Sequence, residues 1–370
     1  MSQIPAALPT ADDALALIKP KVRAQSAYTL NAPYAVRKLN QNESPYDVPK
    51  AIKDAVLARV REISWNRYPA FSPAGLLERL ALRHDWTPEG VLVGNGSNEL
   101  IQASLMVSVG EGTGVVTSVP TFTLYRLMTE VLGGRHIGVP LTHDYQFDVE
   151  GLLRAASARG SRVVVVNTPN NPTGTPIPDG VIERLLSDTE TLVVVDEAYQ
   201  DFGGPSAIPL LPVYPRLIVL RTFSKAMALA GLRFGYALAH PAVAREIAKA
   251  KLPYNLNQVT LAAAEVALDN PTPFVEATDR IRAARERLYS RLTRIRGIRA
   301  FPSSANFVLF RCEARPAADV FTRLVEEYGI LVRDVSAGQG LNNCLRVTAG
   351  TPEDVDAVAG ALDAIFGTLP

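Results

Sequence analysis

Short apolar runs, rich in valine, isoleucine and leucine, alternate along the chain with longer stretches in which apolar residues have helical spacing. Residues 162–166, for example, contain four consecutive valines. Unbroken runs of this kind are typical of strands buried on both faces, and strand–helix alternation is typical of parallel sheets covered by helices. The pattern therefore predicts an α/β fold with a mostly parallel, doubly covered sheet. Other predicted strands are residues 91–93, 114–117, 135–139, 191–195, 217–220 and 234–239.

The pattern changes beyond residue 270. A long charged helix is predicted at residues 273–296, and shorter strands and helices follow it. The predicted strands are residues 306–310, 330–333 and 344–347, and the predicted helices are residues 317–328 and 351–366. We therefore predict three parts: an N-terminal arm at residues 1–35, a large domain at 36–270 and a smaller α+β domain at 271–370.

The composition limits the kinds of molecule that the protein is expected to bind. The 370 residues carry 38 basic and 37 acidic side chains, so the formal net charge is +1. This balance argues against nucleic-acid or polybasic membrane binding. Cys312 and Cys344 lack CxxC spacing and the four histidines are scattered, which argues against metal sites and disulfides. The sequence has no secretory signal pattern and no long apolar run, so we expect a cytoplasmic protein with small-molecule partners.

Polar clusters follow the predicted strands at their carboxyl ends. They come directly after Val93, Val166, Val195 and Leu220. In parallel sheets, binding sites lie beyond the carboxyl ends of the strands. We therefore expect these clusters to form one site.

The cluster after Leu220 contains Lys225, with Thr222 and Ser224 before it and Arg233 eight residues beyond it. A lysine beyond a buried strand can lose charge by desolvation, which makes its amine nucleophilic toward an aldehyde. The two hydroxyls and the guanidinium suit a phosphate monoester. An aldehyde and a phosphate on one molecule suggest pyridoxal 5′-phosphate (PLP). A strand-end lysine in solvent is the alternative interpretation.

The other clusters supply complementary groups. Asp196 ends a buried strand, where a carboxylate can pair with a protonated pyridine nitrogen. Asn171 and Tyr199 offer donors to the ring oxygen, and Phe122 offers a face for stacking. The alternatives are structural: a capping aspartate, a turn asparagine and a core aromatic.

Residues 94–99, Gly-Asn-Gly-Ser-Asn-Glu, form a turn that opens a helix. Free N–H groups and the helix dipole at such a position favour a phosphate. An ordinary turn with an N-cap serine is the alternative. The segment lacks the full GxGxxG pattern and downstream acidic residue of dinucleotide sites.

Four motifs in this order and spacing resemble those of the fold-type I, class I and II PLP-dependent aminotransferases. They are Asn171-Pro172-Thr173-Gly174, Asp196-Glu197-Ala198-Tyr199, Ser224-Lys225 and Gly231-Leu232-Arg233. The resemblance covers nearly the whole chain. Within this family the chain most resembles the histidinol-phosphate aminotransferase subfamily, on the further segments Asn66-Arg67-Tyr68-Pro69, Gly96-Ser97-Asn98-Glu99, Pro120-Thr121-Phe122 and Leu345-Arg346-Val347.

The resemblance implies a role for each matching residue. Lys225 would form an imine with the cofactor aldehyde and later move the proton between the substrate Cα and the cofactor, with Asp196 at the pyridine nitrogen. Asn171 and Tyr199 would contact the ring oxygen. The phosphate would be held by Ser97, Asn98, Thr222, Ser224 and Arg233, together with Tyr68 of the partner subunit in a homodimer. The substrate would be bound by Tyr28, Asn42, Arg333 and Arg346.

The sequence departs from the family pattern at Ser44 and Asn98, where asparagine and aspartate are usual. The implied reaction transfers an amino group between histidinol phosphate and 2-oxoglutarate, in histidine biosynthesis. An aromatic amino acid transaminase and, more distantly, a phosphothreonine-type decarboxylase remain alternatives. A PLP-binding regulatory domain of a transcription factor is a third, although about 35 residues before the predicted fold are too few for a DNA-binding module.

Overall fold

The computed structural model describes residues 10–26 and 33–367, which form helices α1–α13 and strands β1–β13. The helices are α1 Ala11–Ala16, α2 Pro20–Arg23, α3 Lys50–Arg61, α4 Ala74–Arg83, α5 Ser97–Ser108, α6 Leu124–Val131, α7 Val149–Ser157, α8 Val181–Asp188, α9 Pro241–Ala248, α10 Gln258–Asp269, α11 Thr272–Leu292, α12 Ala317–Glu326 and α13 Pro352–Gly367. The strands are β1 Arg37–Lys38, β2 Val91–Asn95, β3 Gly114–Val119, β4 Arg135–Pro140, β5 Ser161–Asn167, β6 Leu192–Asp196, β7 Leu217–Thr222, β8 Phe234–Ala239, β9 Ile298–Ala300, β10 Phe307–Cys312, β11 Ile330–Leu331, β12 Arg333–Asp334 and β13 Cys344–Thr348.

A seven-stranded sheet in the order β2-β8-β7-β6-β5-β3-β4 forms the centre of the molecule. Strands β3 to β7 run parallel to their neighbours within that group, and β8 pairs antiparallel with both β7 and β2. The valines at positions 163–166 are fully buried, as their unbroken run predicts.

Helices cover both faces of this sheet. One face packs against helices that include α4, α7 and α8, through Leu76, Leu152 and Leu185. The other packs against α5, α6 and α9, through residues such as Leu100 and Ile247. The predicted α/β fold with a mostly parallel, doubly covered sheet is thus confirmed.

The C-terminal part of the chain builds a four-stranded antiparallel sheet in the order β12-β13-β10-β9. It shares a second core with α11, α12 and α13, in which Phe310, Leu345 and Leu362 are fully buried. The predicted change to an α+β arrangement therefore occurs, while the exact domain bounds stay a prediction. Among the helices of the described residues, none is long and apolar enough to cross a membrane.

Three details differ from the predicted elements. The single strand predicted at 330–333 is two strands in two sheets: β11 pairs with β1, and β12 pairs with β13. The three-residue strand β9 was not predicted, and α11 ends at Leu292, earlier than expected. Strands of two or three residues are too short to show a periodic pattern, so their partners are set by tertiary contacts.

A buried ion pair joins the carboxyl ends of β6 and β7. The Arg221 guanidinium lies 2.7 Å from the Glu197 carboxylate, which is fully buried. Glu197 also accepts hydrogen bonds from the Ala207 N–H at 2.6 Å and the Ser206 hydroxyl at 3.0 Å. Because Asp196 and Thr222 directly adjoin Glu197 and Arg221 in sequence, this pair lies next to the predicted site.

Candidate active site

A cavity of about 830 Å³ opens at the carboxyl edge of the seven-stranded sheet, and residues of β12 and β13 complete its wall. All but two of the predicted site residues line this one cavity. The predicted residues that line the cavity are Asn42, Ser97, Asn98, Phe122, Asn171, Asp196, Tyr199, Thr222, Ser224, Lys225, Arg233, Arg333 and Arg346.

The two exceptions are tyrosines. Tyr68 is 79% exposed and stacks on Tyr254 with ring centroids 4.6 Å apart, away from the cavity of its own chain. Tyr28 lies outside the described residues.

Lys225 follows β7 and reaches into the cavity. Its Nζ donates to the backbone carbonyl of Gln41 at 2.9 Å and lies 5.7 Å from the centroid of the Tyr199 ring. Burial, together with the positive charge of Arg346, lowers the pKa of Lys225 to about 7, against the opposing effect of Glu43. A substantial fraction of this amine is therefore neutral and nucleophilic near neutral pH.

Asp196 lies at the floor of the cavity, 2% exposed. Tyr125 donates its hydroxyl to Oδ2 at 2.6 Å, and the Ala198 N–H donates to Oδ1 at 3.1 Å. Burial raises the pKa of Asp196, and these two hydrogen bonds counteract that effect. They favour the ionised carboxylate, which a buried position alone would disfavour.

Hydroxyl and guanidinium groups gather at one end of the cavity. Thr222 Oγ1 donates to Ser224 Oγ at 3.0 Å, and Arg233 Nη1 donates to the same Ser224 oxygen at 3.1 Å. The N-terminus of α5, which begins at Ser97, meets this group. Together they offer N–H, O–H and cationic donors to an anion.

Two glycines allow this approach. Gly96 has φ +77°, and a Cβ there would lie 2.4 Å from Arg233 Nη2. A Cβ on Gly235 would lie 2.4 Å from the Ser97 nitrogen. Larger side chains at either position would push the arginine or the start of α5 out of the cavity.

Two arginines lie at the opposite end of the cavity. Arg333 of β12 and Arg346 of β13 are direct cross-strand partners, and both side chains reach the cavity. Arg346 is 7% exposed and donates to the Asn40 carbonyl at 2.8 Å and to Asn171 Oδ1. The pair provides two positive charges for an anionic group of a bound molecule.

Residues 35–362 match the sequence profile of the family described as Aminotransferase class I and II. The chain belongs to this family. The predicted family and the predicted enzyme class, a transaminase, are confirmed.

Relatives of this aminotransferase share its length as well as its sequence. It is 38% identical over 359 residues to a histidinol-phosphate aminotransferase of Chlorobium phaeovibrioides, with 96% of this chain and 99% of the relative covered. It is 39% identical over 360 residues to histidinol-phosphate aminotransferase 2 of Nitrosococcus oceani, again with 96% and 99% covered.

Solved structures show the same fold. Histidinol-phosphate aminotransferase of Sinorhizobium meliloti, solved in complex with pyridoxal-5′-phosphate, superimposes with a TM-score of 0.85 at 26% identity, covering 96% of this chain and 98% of that one. An aminotransferase from Clostridium acetobutylicum with the same name superimposes with a TM-score of 0.83 at 23% identity, covering 90% and 100%.

Asn42 was expected to contact substrate, and the structure gives its amide a partner within the aminotransferase itself. Asn42 Nδ2 donates to the Tyr199 hydroxyl at 3.0 Å. Its backbone N–H donates to Thr348 Oγ1 at 3.0 Å, and its carbonyl accepts from Asn306 at 3.0 Å. Fixed in this way, Asn42 orients the phenol of Tyr199.

Several cavity residues of this aminotransferase were not predicted. Tyr125 is the clearest, because it is fully buried and holds Asp196. Its one sequence signal is its position three residues after Phe122, at the start of α6, where the two rings meet edge to face at 5.7 Å. The Gln41 carbonyl and residues 335–341 gave no signal, since a backbone acceptor and a turn-rich loop show no characteristic pattern.

The lowered pKa of Lys225 can be measured directly on cofactor-free protein. Its amine should become reactive toward acetic anhydride as pH rises through about 7. Lys50, an exposed lysine at the start of α3, is the control peptide for the reagent. In Arg346→Ala the Lys225 transition should move to higher pH, because a neighbouring positive charge is lost. The measurement is competitive acetylation read by peptide mass spectrometry, and a wild-type transition of Lys225 above pH 9 would contradict this account.

Proposed function

We propose that this aminotransferase transfers the amino group of L-histidinol phosphate to 2-oxoglutarate, giving imidazole-acetol phosphate and L-glutamate in histidine biosynthesis. The observation that carries the proposal is the pairing of Arg333 with Arg346 at one end of the cavity. The names of relatives at 36–39% identity support it. We further propose that it works in the cytoplasm, which accords with its two free, buried cysteines.

Pyridoxal 5′-phosphate is the cofactor of this proposal, and the donor set fits it. The anion end of the cavity suits its phosphate, and the amine of Lys225 suits its aldehyde. We assign the phosphate to Ser97, Asn98, Thr222, Ser224 and Arg233. Asp196 would bind the ring nitrogen, Asn171 and Tyr199 would bind the ring oxygen, and Phe122 would stack on the ring.

The bound cofactor supplies an aldehyde to take up the amino group and a ring that withdraws electrons from the substrate Cα. The protein supplies the proton transfers. Because the pKa of Lys225 is about 7, its amine can accept the proton from the substrate Cα and would pass it to the cofactor. The hydrogen bonds from Tyr125 and Ala198 favour the anionic form of Asp196, which would stabilise a positive charge at the ring nitrogen.

Substrate choice follows from charge. A phosphate monoester carries close to two negative charges at neutral pH, and two guanidinium groups match it better than one does. Arg346 is already held by Asn40 and Asn171, so it is preorganised for either a phosphate or a carboxylate. Arg333, half-buried at the cavity wall, is the group that would favour the more highly charged end.

The proposed function predicts the order of donor reactivity. Histidinol phosphate and glutamate should each convert the PLP form to the amino form, which absorbs at shorter wavelength. Phenylalanine and tyrosine should react with a kcat/KM at least about tenfold lower, because they offer one carboxylate to two arginines. The measurement is single-turnover absorbance with each donor. A preference for phenylalanine over histidinol phosphate would instead assign the enzyme to the aromatic amino acid transaminases.

Arg333→Ala should affect the reactions with histidinol phosphate and with glutamate to different extents. We expect it to lower kcat/KM for histidinol phosphate by the equivalent of roughly 1.5–3 kcal/mol, the usual range for a lost charge-assisted contact. It should lower kcat/KM for glutamate by less. The matched control is Arg323→Ala, which removes an arginine of α12 that pairs with Glu327 and does not line the cavity. Equal losses of kcat/KM for both donors in Arg333→Ala would show that Arg333 does not distinguish between them.

We also propose a homodimer with shared sites. Tyr68 is exposed on a surface with other exposed aromatic side chains, Phe71 and Tyr254, which contact each other around it. An aromatic patch of this kind is typical of a protein–protein interface. We propose a two-fold arrangement in which Tyr68 of each subunit reaches the phosphate end of its partner's cavity.

Subunit mixing tests this arrangement. Tyr68→Phe lacks the phenol hydroxyl, and Lys225→Ala lacks the amine. A heterodimer of the two has one site with both groups intact, so it should regain about half of the wild-type turnover per dimer. Differently tagged subunits allow the heterodimer to be purified, and its activity is compared with both parent homodimers. A fully active monomer in sedimentation, or a heterodimer no better than the mean of its parents, would contradict shared sites.

A further inference from the structure

Residues 335–341 form one wall of the cavity, directly after Arg333 and Asp334. Five of them line the cavity: Val335, Ala337, Gly338, Gln339 and Leu341. The loop folds on itself, with the Gly338 N–H donating to the Val335 carbonyl at 2.9 Å and the Leu341 N–H donating to the Gly338 carbonyl at 3.0 Å. It is the part of the wall nearest in sequence to Arg333, so its position affects the shape of the cavity at the end where Arg333 lies.

Tyr145 holds this loop from the other side. It lies in the turn between β4 and α7, far from residues 335–341 in sequence, and is 3% exposed. Its hydroxyl donates to the Gly340 carbonyl at 2.9 Å and accepts from Arg311 Nη2 at 2.8 Å. Burial raises the pKa of Tyr145, so its hydroxyl keeps the proton that it donates.

Packing supports the same contact. The Tyr145 ring meets Phe301 edge to face at 4.7 Å, and Leu341 of the loop is buried in the same small cluster. Tyr145 itself has φ 58°, which is uncommon for a side chain of this size. Such a backbone conformation persists where surrounding contacts determine it, and here those contacts come from the C-terminal part of the chain.

The loop also approaches the seven-stranded sheet. A Cβ on Gly340 would lie 3.9 Å from Cδ of Pro120, which follows β3 and lines the cavity. The hydrogen bond from Tyr145 therefore acts where the loop passes from the smaller sheet toward the larger one. Loss of this bond would release the loop at that point.

We propose that Tyr145 is a positioning residue for substrate recognition, which holds residues 335–341 as a fixed wall against the end of the substrate farthest from its amino group. This inference rests on the proposed function for the identity of that substrate, an amino donor with an anionic far end. Tyr145 does not line the cavity, so it acts through the loop rather than by contact with substrate.

The test compares Tyr145→Phe with Asp144→Asn in the holoenzyme. Tyr145→Phe keeps the ring and removes the hydroxyl. Asp144→Asn removes a surface ion pair with Arg299, which joins the same turn to β9 without touching the loop. In Tyr145→Phe we expect faster hydrogen exchange of residues 335–341 and a KM for histidinol phosphate raised roughly three- to tenfold, with kcat within about twofold. Asp144→Asn should stay close to wild type in the hydrogen exchange of residues 335–341 and in the KM for histidinol phosphate.

Each outcome bears on the inference. Unchanged exchange in Tyr145→Phe, or faster exchange with an unchanged KM, would overturn it, and so would equal effects of the two variants. If the wild type does not use histidinol phosphate, the proposed substrate fails, and the same comparison with the donor that it does use decides the role of Tyr145. If Tyr145→Phe does not fold, exchange of the wild-type loop decides: protection by the bound donor supports the inference, and no change overturns it.

Discussion

The buried pair of Arg221 and Glu197 is the interaction on which the site depends. Both side chains are almost completely removed from water, so the charge of Glu197 depends on Arg221, which also lies 3.5 Å from the Asp201 carboxylate. The Glu197 N–H also donates to the Leu220 carbonyl at 2.9 Å, which continues the pairing of β6 with β7 beyond the sheet. Their neighbours Asp196 and Thr222 face the cavity. The spacing between Asp196 and Thr222 is therefore fixed by this pair and by the backbone hydrogen bond beside it.

Charge distribution within the cavity follows from this fixed frame. Arg233 is at one end and Arg346 at the other, and both disfavour a further positive charge on Lys225 between them. Burial raises the pKa of Asp196, and the hydrogen bonds from Tyr125 and Ala198 oppose that effect. The lowered pKa of Lys225 leaves its amine partly neutral at neutral pH. A partly neutral amine in a cavity can accept a proton from a bound molecule.

The sequence predicts those parts of this arrangement that show a periodic or recurring pattern along the chain. Runs such as residues 162–166 predict buried strands, and polar residues at their ends predict Asn171, Asp196 and Lys225 as neighbours. It was insufficient where a contact joins single residues from distant segments. Tyr125 reaches Asp196 across 71 positions, and Tyr145 reaches Gly340 across 195. A two-residue strand such as β1 has no period, so only its partner β11 reveals it.

The pairing of β1 with β11 has a consequence for how the cavity is closed. Directly after β1, the chain passes through Asn40, Gln41 and Asn42, which contact Arg346, Lys225 and Tyr199 respectively. One short segment thus touches a group from each side of the cavity while its strand belongs to the C-terminal part. A shift of that part relative to the large sheet would move the segment with it. Arg346, Lys225 and Tyr199 are therefore mechanically linked through residues 40–42.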